Sequence, residues 1–494
     1  MKKLIPLLLL IFVSSGFAAT HTINSLPYTF NAKSMTPGEV DTLVLGSSKL
    51  RSSGSGITLE ALYANEIHDV VVNLGNDTIS FGEGGGASNY GIRTIGTGSY
   101  YPYDIKIVGG HILHNPSNST ANNNRCLSIR GNAILVEDVN AVVRGYNGMV
   151  YEAKGPHVYD LEISGGRFRS EVTGFDSRCD FDAPVIKINH IENGMLTANG
   201  ATDHLEVNGV VIDGGPHVGI LVYAEAGDYG TVKIHDCSIM TDMRNDFYPT
   251  YSGICYSAAN AYGIFVSAVN GGTEIANNTI TSGTEYGGNR GIYVGYGNGT
   301  ADNPILVHGN YVDVHEGPGV EMGDQNPAHG LRIRYRPQYI DVYNNTFICT
   351  GDNNSSTTSY GIGVHPVRLS TNSSGTHVTI RNNIIEARSL SSSGVQCNGV
   401  TFDGIDYPNT FFLEGNVIRS AGTIYKYGEI GTQSNGPTGV SIVGDTVSFL
   451  PNPINPVTYY LGHLSNNWIC TQNKACDVVY LGDAAFNDIT FSSD

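Results

Sequence analysis

Residues 330–336 read Gly-Leu-Arg-Ile-Arg-Tyr-Arg, which puts Arg332, Arg334 and Arg336 on alternate positions. Alternate side chains of an extended strand share a face, so three guanidinium groups line one side while Leu331 and Ile333 take the other. A guanidinium offers a planar fork of donors that matches a carboxylate or a sulfate. The chain as a whole is acidic, with 45 Asp+Glu against 27 Lys+Arg and a formal charge of −18. A net field of that sign disfavours nucleic acid and anionic membrane as partners. The arginine strand is therefore a local exception, suited to neutralising an anionic ligand.

Two other stretches could do chemistry. Asp176, Asp180 and Asp182 fall within GFDSRCDFDAPVIK (174–187) and are oxygen donors of the type calcium takes, although a solvated acidic loop reads the same way. Asp213 and His217 sit in IDGGPHVGI (212–220), where turn chemistry alone also accounts for them. The eight cysteines are an even number. Cys470 and Cys476 are the best-spaced pair for a disulfide, whereas Cys237, Cys349 and Cys397 read equally well as small apolar core residues.

The elements that must position these residues are repeats. IANNTI (275–280), VHGNYV (307–312), VYNNTF (342–347), IRNNII (380–385) and LEGNVI (413–418) share an asparagine at 278, 310, 345, 383 and 416. The register continues with weaker anchors at Asp77, Gly110, Val139, Gly166, Val210, Cys237 and Asp445, making twelve copies at steps of 27 to 44 residues. Position −3 from the anchor is Leu, Ile or Val in every copy and position +2 is apolar in every copy. Position −5 is apolar in all but one, where Thr273 stands. Alternation of period two in repeats of this length predicts strands. A second signature, Gly-apolar-x-apolar, recurs between anchors as GITL (56), GMVY (148), GILV (219), GIFV (263), GIYV (291), GLRI (330), GIGV (361) and GVQC (394). Each repeat thus holds about three short strands, with no crossover helix to join them.

This pattern resembles the right-handed parallel β-helix of the pectin-lyase-like superfamily, over residues 56–450 and on the anchor register rather than on any catalytic motif. The resemblance implies an all-β solenoid of about twelve coils, with Asn278 to Asn416 stacked as an inward asparagine ladder. Solenoid ends expose apolar core and need caps, which residues 19–55 and 451–494 are expected to supply. Residues 1–18 read as a secretory signal: Lys2 and Lys3, an apolar run from Leu4 to Val13, and cleavage after Ala18. The run is too short to span a bilayer, which takes about 20 residues. The mature chain is expected to be exported and soluble, to act as a monomer, and to insert in no membrane.

If the apolar residues of the glycine signature point inward, two outward columns follow. The first runs through Lys187, Leu221, Phe265, Tyr293, Arg332, Gly363 and Gln396, and the second through Arg130, Glu152, Asn189, Tyr223, Arg334, His365 and Asn398. GVEM (319–322) is a competing frame for the coil that holds GLRI, and GLRI fits the distance to the next anchor better. Aromatic faces stack on sugar rings, and strand spacing resembles the length of a hexose, so an extracellular polysaccharide is the expected partner. The family resemblance implies an exported enzyme on an anionic polysaccharide, first a polyuronate lyase. Its β-elimination needs a neutralised carboxylate and a base, for which Arg332, Arg334, His365, Lys187 and Tyr223 are the candidates. Tyr293, Phe265, Glu152, Arg130, Asn189 and Arg336 would bind substrate, and a calcium ion would fall to Asp176, Asp180 and Asp182. An inverting glycoside hydrolase, which needs two spaced carboxylic acids such as Glu152, Glu225 or Asp213, is the second reading. A non-catalytic adhesin solenoid is the third.

Overall fold

The chain is a right-handed parallel β-helix. The structure is a computed structural model that describes residues 19–31, 39–61, 67–85, 88–97, 100–115, 124–144, 147–153, 160–170, 184–190, 204–214, 218–224, 230–242, 261–284, 289–316, 328–351, 362–371, 375–390, 395–402, 409–427, 439–451 and 453, together with the strands Val457–Leu461, Trp468–Thr471, Val478–Leu481 and Ile489–Ser492. Among these residues there is no α-helix. The Asp176, Asp180 and Asp182 trio, His217, Glu225, GVEM and the signal segment 1–18 lie outside them.

Each coil contributes three strands, and each strand pairs in parallel with its counterpart one coil away. In the coil centred on Asn345 these are Tyr339–Tyr343, Thr346–Gly351 and Ile362–Thr371. Tyr339–Tyr343 pairs with Ile305–His308 on one side and His377–Arg381 on the other, defining a first sheet. Thr346–Gly351 belongs to a second sheet and Ile362–Thr371 to a third.

The core follows the repeat. All twelve residues at −3 are buried to within 1% exposure, from Leu74 through Val342 to Ile442. The +2 residues are likewise buried from Ile79 to Ile418, and Val447 in the last anchored coil packs partly against the core. Thr273, the polar exception at −5, is fully buried, and its hydroxyl accepts from the Val232 amide at 3.3 Å. The core tolerates it because its oxygen is used.

The asparagine ladder is built as expected. Asn345 Nδ2 donates to Val307 O at 2.9 Å, Tyr343 O at 3.0 Å and Asn383 Oδ1 at 2.9 Å, while its Oδ1 accepts both Nδ2 and the backbone amide of Asn310. The ladder starts under the amide of Cys237 and ends on Asp445, whose Oδ1 accepts from Asn416 and whose Oδ2 accepts from Tyr425 Oη at 2.7 Å. Before eleven of the twelve anchors comes a residue in the left-handed region, such as Asn277 (φ 54°), Gly309 (φ 65°), Asn344 (φ 55°) and Asn382 (φ 55°); at Asp77 it is Gly75 (φ 56°), one position earlier. That turn accounts for a further regularity of the repeat: the residue before every anchor is Gly, Asn or Asp, the types that tolerate positive φ.

Parallel pairing does not stop at residues 55 and 451. Ala19–Ile23 pairs with Asp41–Leu45, which pairs with Val70–Phe81, and Trp468–Thr471 pairs with Gly439–Val443 and with Ile489–Ser492. Cys126, Cys237, Cys349 and Cys397 are all buried, and burial pushes the Cys237 thiol up to about 12. Cys470 lies in a described strand, but Cys476 lies outside the described residues.

Candidate functional site

The third sheet carries the arginines. Its strands Tyr262–Ser267, Arg290–Val294, Ala328–Tyr335, Ile362–Thr371 and Val395–Phe402 stack in that order. The glycine of the signature recurs because neighbouring coils touch there. A Cβ on Gly291 would lie 2.0 Å from Val312 Cγ1 and 2.7 Å from Gly330 O, and one on Gly263 would lie 2.2 Å from Ile280 Cγ2. The next residue, Ile264, Ile292 or Leu331, fills the core at 0% exposure. Two positions after the glycine comes the outward column, in which Leu221, Phe265, Tyr293 and Arg332 are successive partners, and Lys187, two after Val185, pairs with Leu221. Ala328–Tyr335 therefore holds the place for which GLRI and GVEM competed.

Beyond Arg332 the expected column is wrong. Its partner is Arg368, followed by Thr401, not Gly363 and Gln396. The strand Ile362–Thr371 runs five residues further along than GIGV suggests, and Pro366 stands beside Gly330, where a Cβ would lie 2.7 Å from Pro366 O. In the next coil Gly399, at the head of GVTF, is the packed glycine, rather than the one at the head of GVQC; its Cβ would lie 2.8 Å from Ile424 O. Two signatures start five residues apart there, and only stacking distinguishes them.

This shift moves His365. It stands opposite His329, and Ser370 takes the place beside Arg334 that was expected for it. Asn398 moves with His365, since Val364 pairs with Cys397. A third outward column, one residue before the glycine, is absent from the sequence-based expectation: Tyr262, Arg290, His329 and His365. Period-two alternation hides it, because the residue preceding each glycine sits beside the residue two after it only across the bend, as Tyr262 sits against Phe265.

The two columns interlock. Phe265 and Tyr293 stack at 4.3 Å with 7° between their planes, and Tyr262 meets each edge-on. With Val218 and Leu221 they form an apolar cluster outside the main core, against which Tyr335 packs. The Arg290 guanidinium lies over the Tyr262 ring at 4.8 Å and donates to its hydroxyl. Next along the axis Arg368 Nη1 lies 3.2 Å from His329 Nε2, and His365 Nδ1 lies 2.5 Å from Thr401 Oγ1. Arg290, Arg332 and Arg368 are all buried, so Arg332 is not the solvent-facing residue expected. Arg334 is half-buried with its guanidinium 4.7 Å over Tyr335, which in turn stacks on Tyr296, and Arg336 is exposed.

Burial sets the electrostatics. It holds Arg290 well below the usual arginine range, and nearby Arg332, Arg368 and Arg334 lower it further. The His329 imidazole is held well below its ordinary value, first by burial and then by Arg332, Arg368, Arg290 and His365. Burial, and then Tyr335, raises the Tyr293 phenol, against the pull of the three arginines. Such a convergence of cations in low dielectric is suited to an anion.

The remaining candidates lie apart. Lys187 is four coils from Arg332, about 19 Å at the spacing of paired strands, and the exposed Tyr223 is three coils from Arg334, about 14 Å. Arg130, Glu152, Asn189 and Tyr223 are successive strand partners, the register expected, but Arg130 Nε holds Glu152 at 2.8 Å. Asp213 pairs with Arg167 on the second sheet. Among the described residues no group of three or more His, Cys, Asp or Glu side chains is arranged to hold a metal ion. Against known proteins, no family model matches the chain, and no curated protein matches it in sequence.

Proposed function

We propose that the chain acts on an extracellular, uronate-containing polysaccharide along the third sheet, as a β-helix of the pectin-lyase-like kind that breaks its substrate by β-elimination. One observation carries the reading: Arg290, Arg332, Arg368, His329 and His365 converge on three consecutive coils, next to the Phe265–Tyr293 stack. Arginines beside a substrate carboxylate would stabilise the charge that develops when the neighbouring proton leaves. Aromatic faces would hold the adjoining sugar rings. The apolar run Leu4 to Val13 behind Lys2 and Lys3 fits export to where such polymers occur. Hydrolysis would need two free carboxylic acids facing one another, whereas Glu152 is engaged by Arg130 and Asp213 by Arg167.

A non-catalytic binding solenoid is the second reading. It is favoured by the separation of Lys187 and Tyr223, two of the candidate bases, from the arginines. Incubation of the mature chain with polyuronates, sulfated glycans and neutral glycans separates these readings. Ultraviolet-absorbing unsaturated ends are the expected product. New reducing ends without unsaturation would mean hydrolysis, and binding of a polyuronate without cleavage would leave the adhesin reading standing.

A further inference from the structure

His329 is completely buried in the middle of the cationic face, opposite Arg290 in one neighbouring coil and His365 in the other. Its Nε2 lies 3.2 Å from Arg368 Nη1. A guanidinium has donors only, so Nε2 must accept, the ring must be neutral, and the proton must sit on Nδ1. Among the described residues that Nδ1 has no hydrogen-bond partner, whereas His365, its ring centroid 5.7 Å away, uses its own Nδ1 on Thr401. A buried donor left unmade is unfavourable and rare in folded proteins. The charged groups that most influence this one are the cations Arg332, Arg368 and Arg290, so the complement it lacks is an acceptor, best an anionic one.

We propose that the Nδ1–H of His329 donates to a carboxylate oxygen of the bound uronate, with Arg368 fixing the tautomer that makes this possible. His329 is then a positioning residue for the anion, a role that rests on the polyuronate reading of this face. It contributes direction where the arginines contribute charge: a single neutral N–H, held by a ring that cannot rotate without losing Arg368.

Two substitutions with opposite chemistry test it, read by calorimetric titration with a polygalacturonate oligosaccharide. His329→Asn places an amide N–H near the position of Nδ1, and His329→Gln places an amide oxygen near Nε2, where it can still accept from Arg368. The expected result is affinity within about threefold of the parent for His329→Asn and a loss of about ten- to a hundredfold for His329→Gln. The reverse order would mean that His329 only holds Arg368, and equal losses or no losses would overturn the role as well. Should either variant fail to fold, nuclear magnetic resonance of the parent labelled at its histidine nitrogens gives the answer directly. The free protein should show His329 protonated on Nδ1, and saturation with the oligosaccharide should shift that resonance. An unmoved resonance on a ligand-saturated protein would overturn the role and spare the functional reading; a parent that binds no polyuronate would remove both.

Discussion

Single residues separate holding the coil from holding a ligand. Asp445 ends the asparagine ladder, and burial pushes its carboxyl up to about 6 from an ordinary value of 3.8, against the hydrogen bonds from Tyr425 and Asn416 that pull the other way. Because its pKa is raised on folding, Asp445 contributes nothing unfavourable below about pH 4 and costs stability as pH rises through about 6. Asp445→Asn, which completes the ladder with a neutral amide, should therefore stabilise the protein by roughly 1–3 kcal/mol at pH 7.5 and not at pH 4. Melting curves at the two pH values check this. At the site, Arg334→Ala should weaken polyuronate binding with little change in melting temperature, since its side chain is half-exposed. Arg332→Ala should lower both, because it empties a buried position. Arg336→Ala, beyond the strand and exposed, should matter least.

At the scale of the strand, close contact between coils replaces the usual turn logic. Gly263 and Gly291 are glycines because a β-carbon would run into the next coil, not because their backbone is left-handed. Gly263→Ala should cost about 1–3 kcal/mol through overpacking against Ile280 and the Gly291 carbonyl. Gly375, whose added β-carbon would meet nothing within 4 Å but whose φ is 85°, should by contrast suffer through backbone strain alone. Chemical denaturation of both variants tests the distinction. The same contact explains why His365 falls opposite His329 rather than beside Arg334. Where Pro366 replaces a glycine, the signature is lost from the true position while a decoy, GIGV, stands five residues earlier.

For the whole molecule, each coil touches only its neighbours, so damage should stay local. Asn345→Leu removes the amide that bridges Asn310 and Asn383 and should cost about 1–3 kcal/mol. Hydrogen exchange should accelerate first in the strands around Val307, Val342 and Ile380 while the coil around Val72 stays protected. Uniform acceleration would instead mean that the solenoid unfolds as one unit. Charge also acts at this scale. A formal charge of −18 repels a polyanion at long range, yet beyond about 10 Å that repulsion is screened at 0.1 M salt. Above that concentration the local pairs to arginine dominate, and affinity should fall as salt is raised further.

The sequence by itself determined the architecture, since a register repeated twelve times averages out the exceptions: Thr273 at −5 did not hide it, and neither did anchors as weak as Val139 and Val210. It also determined the ladder, because asparagine at one position of five successive coils is what a stack of bridging amides requires, and the outward column as far as Arg332. Only the tertiary structure decided what lies beside what. Whether Arg332 meets Gly363 or Arg368 depends on a five-residue slide between coils that leaves the local pattern equally satisfied. Whether an outward arginine is exposed depends on what packs over it. The column Tyr262–Arg290–His329–His365 arises at a bend, where residues three apart come to share a face. Period-two reasoning assigns such residues to opposite sides, so it could not bring His329 to the arginines.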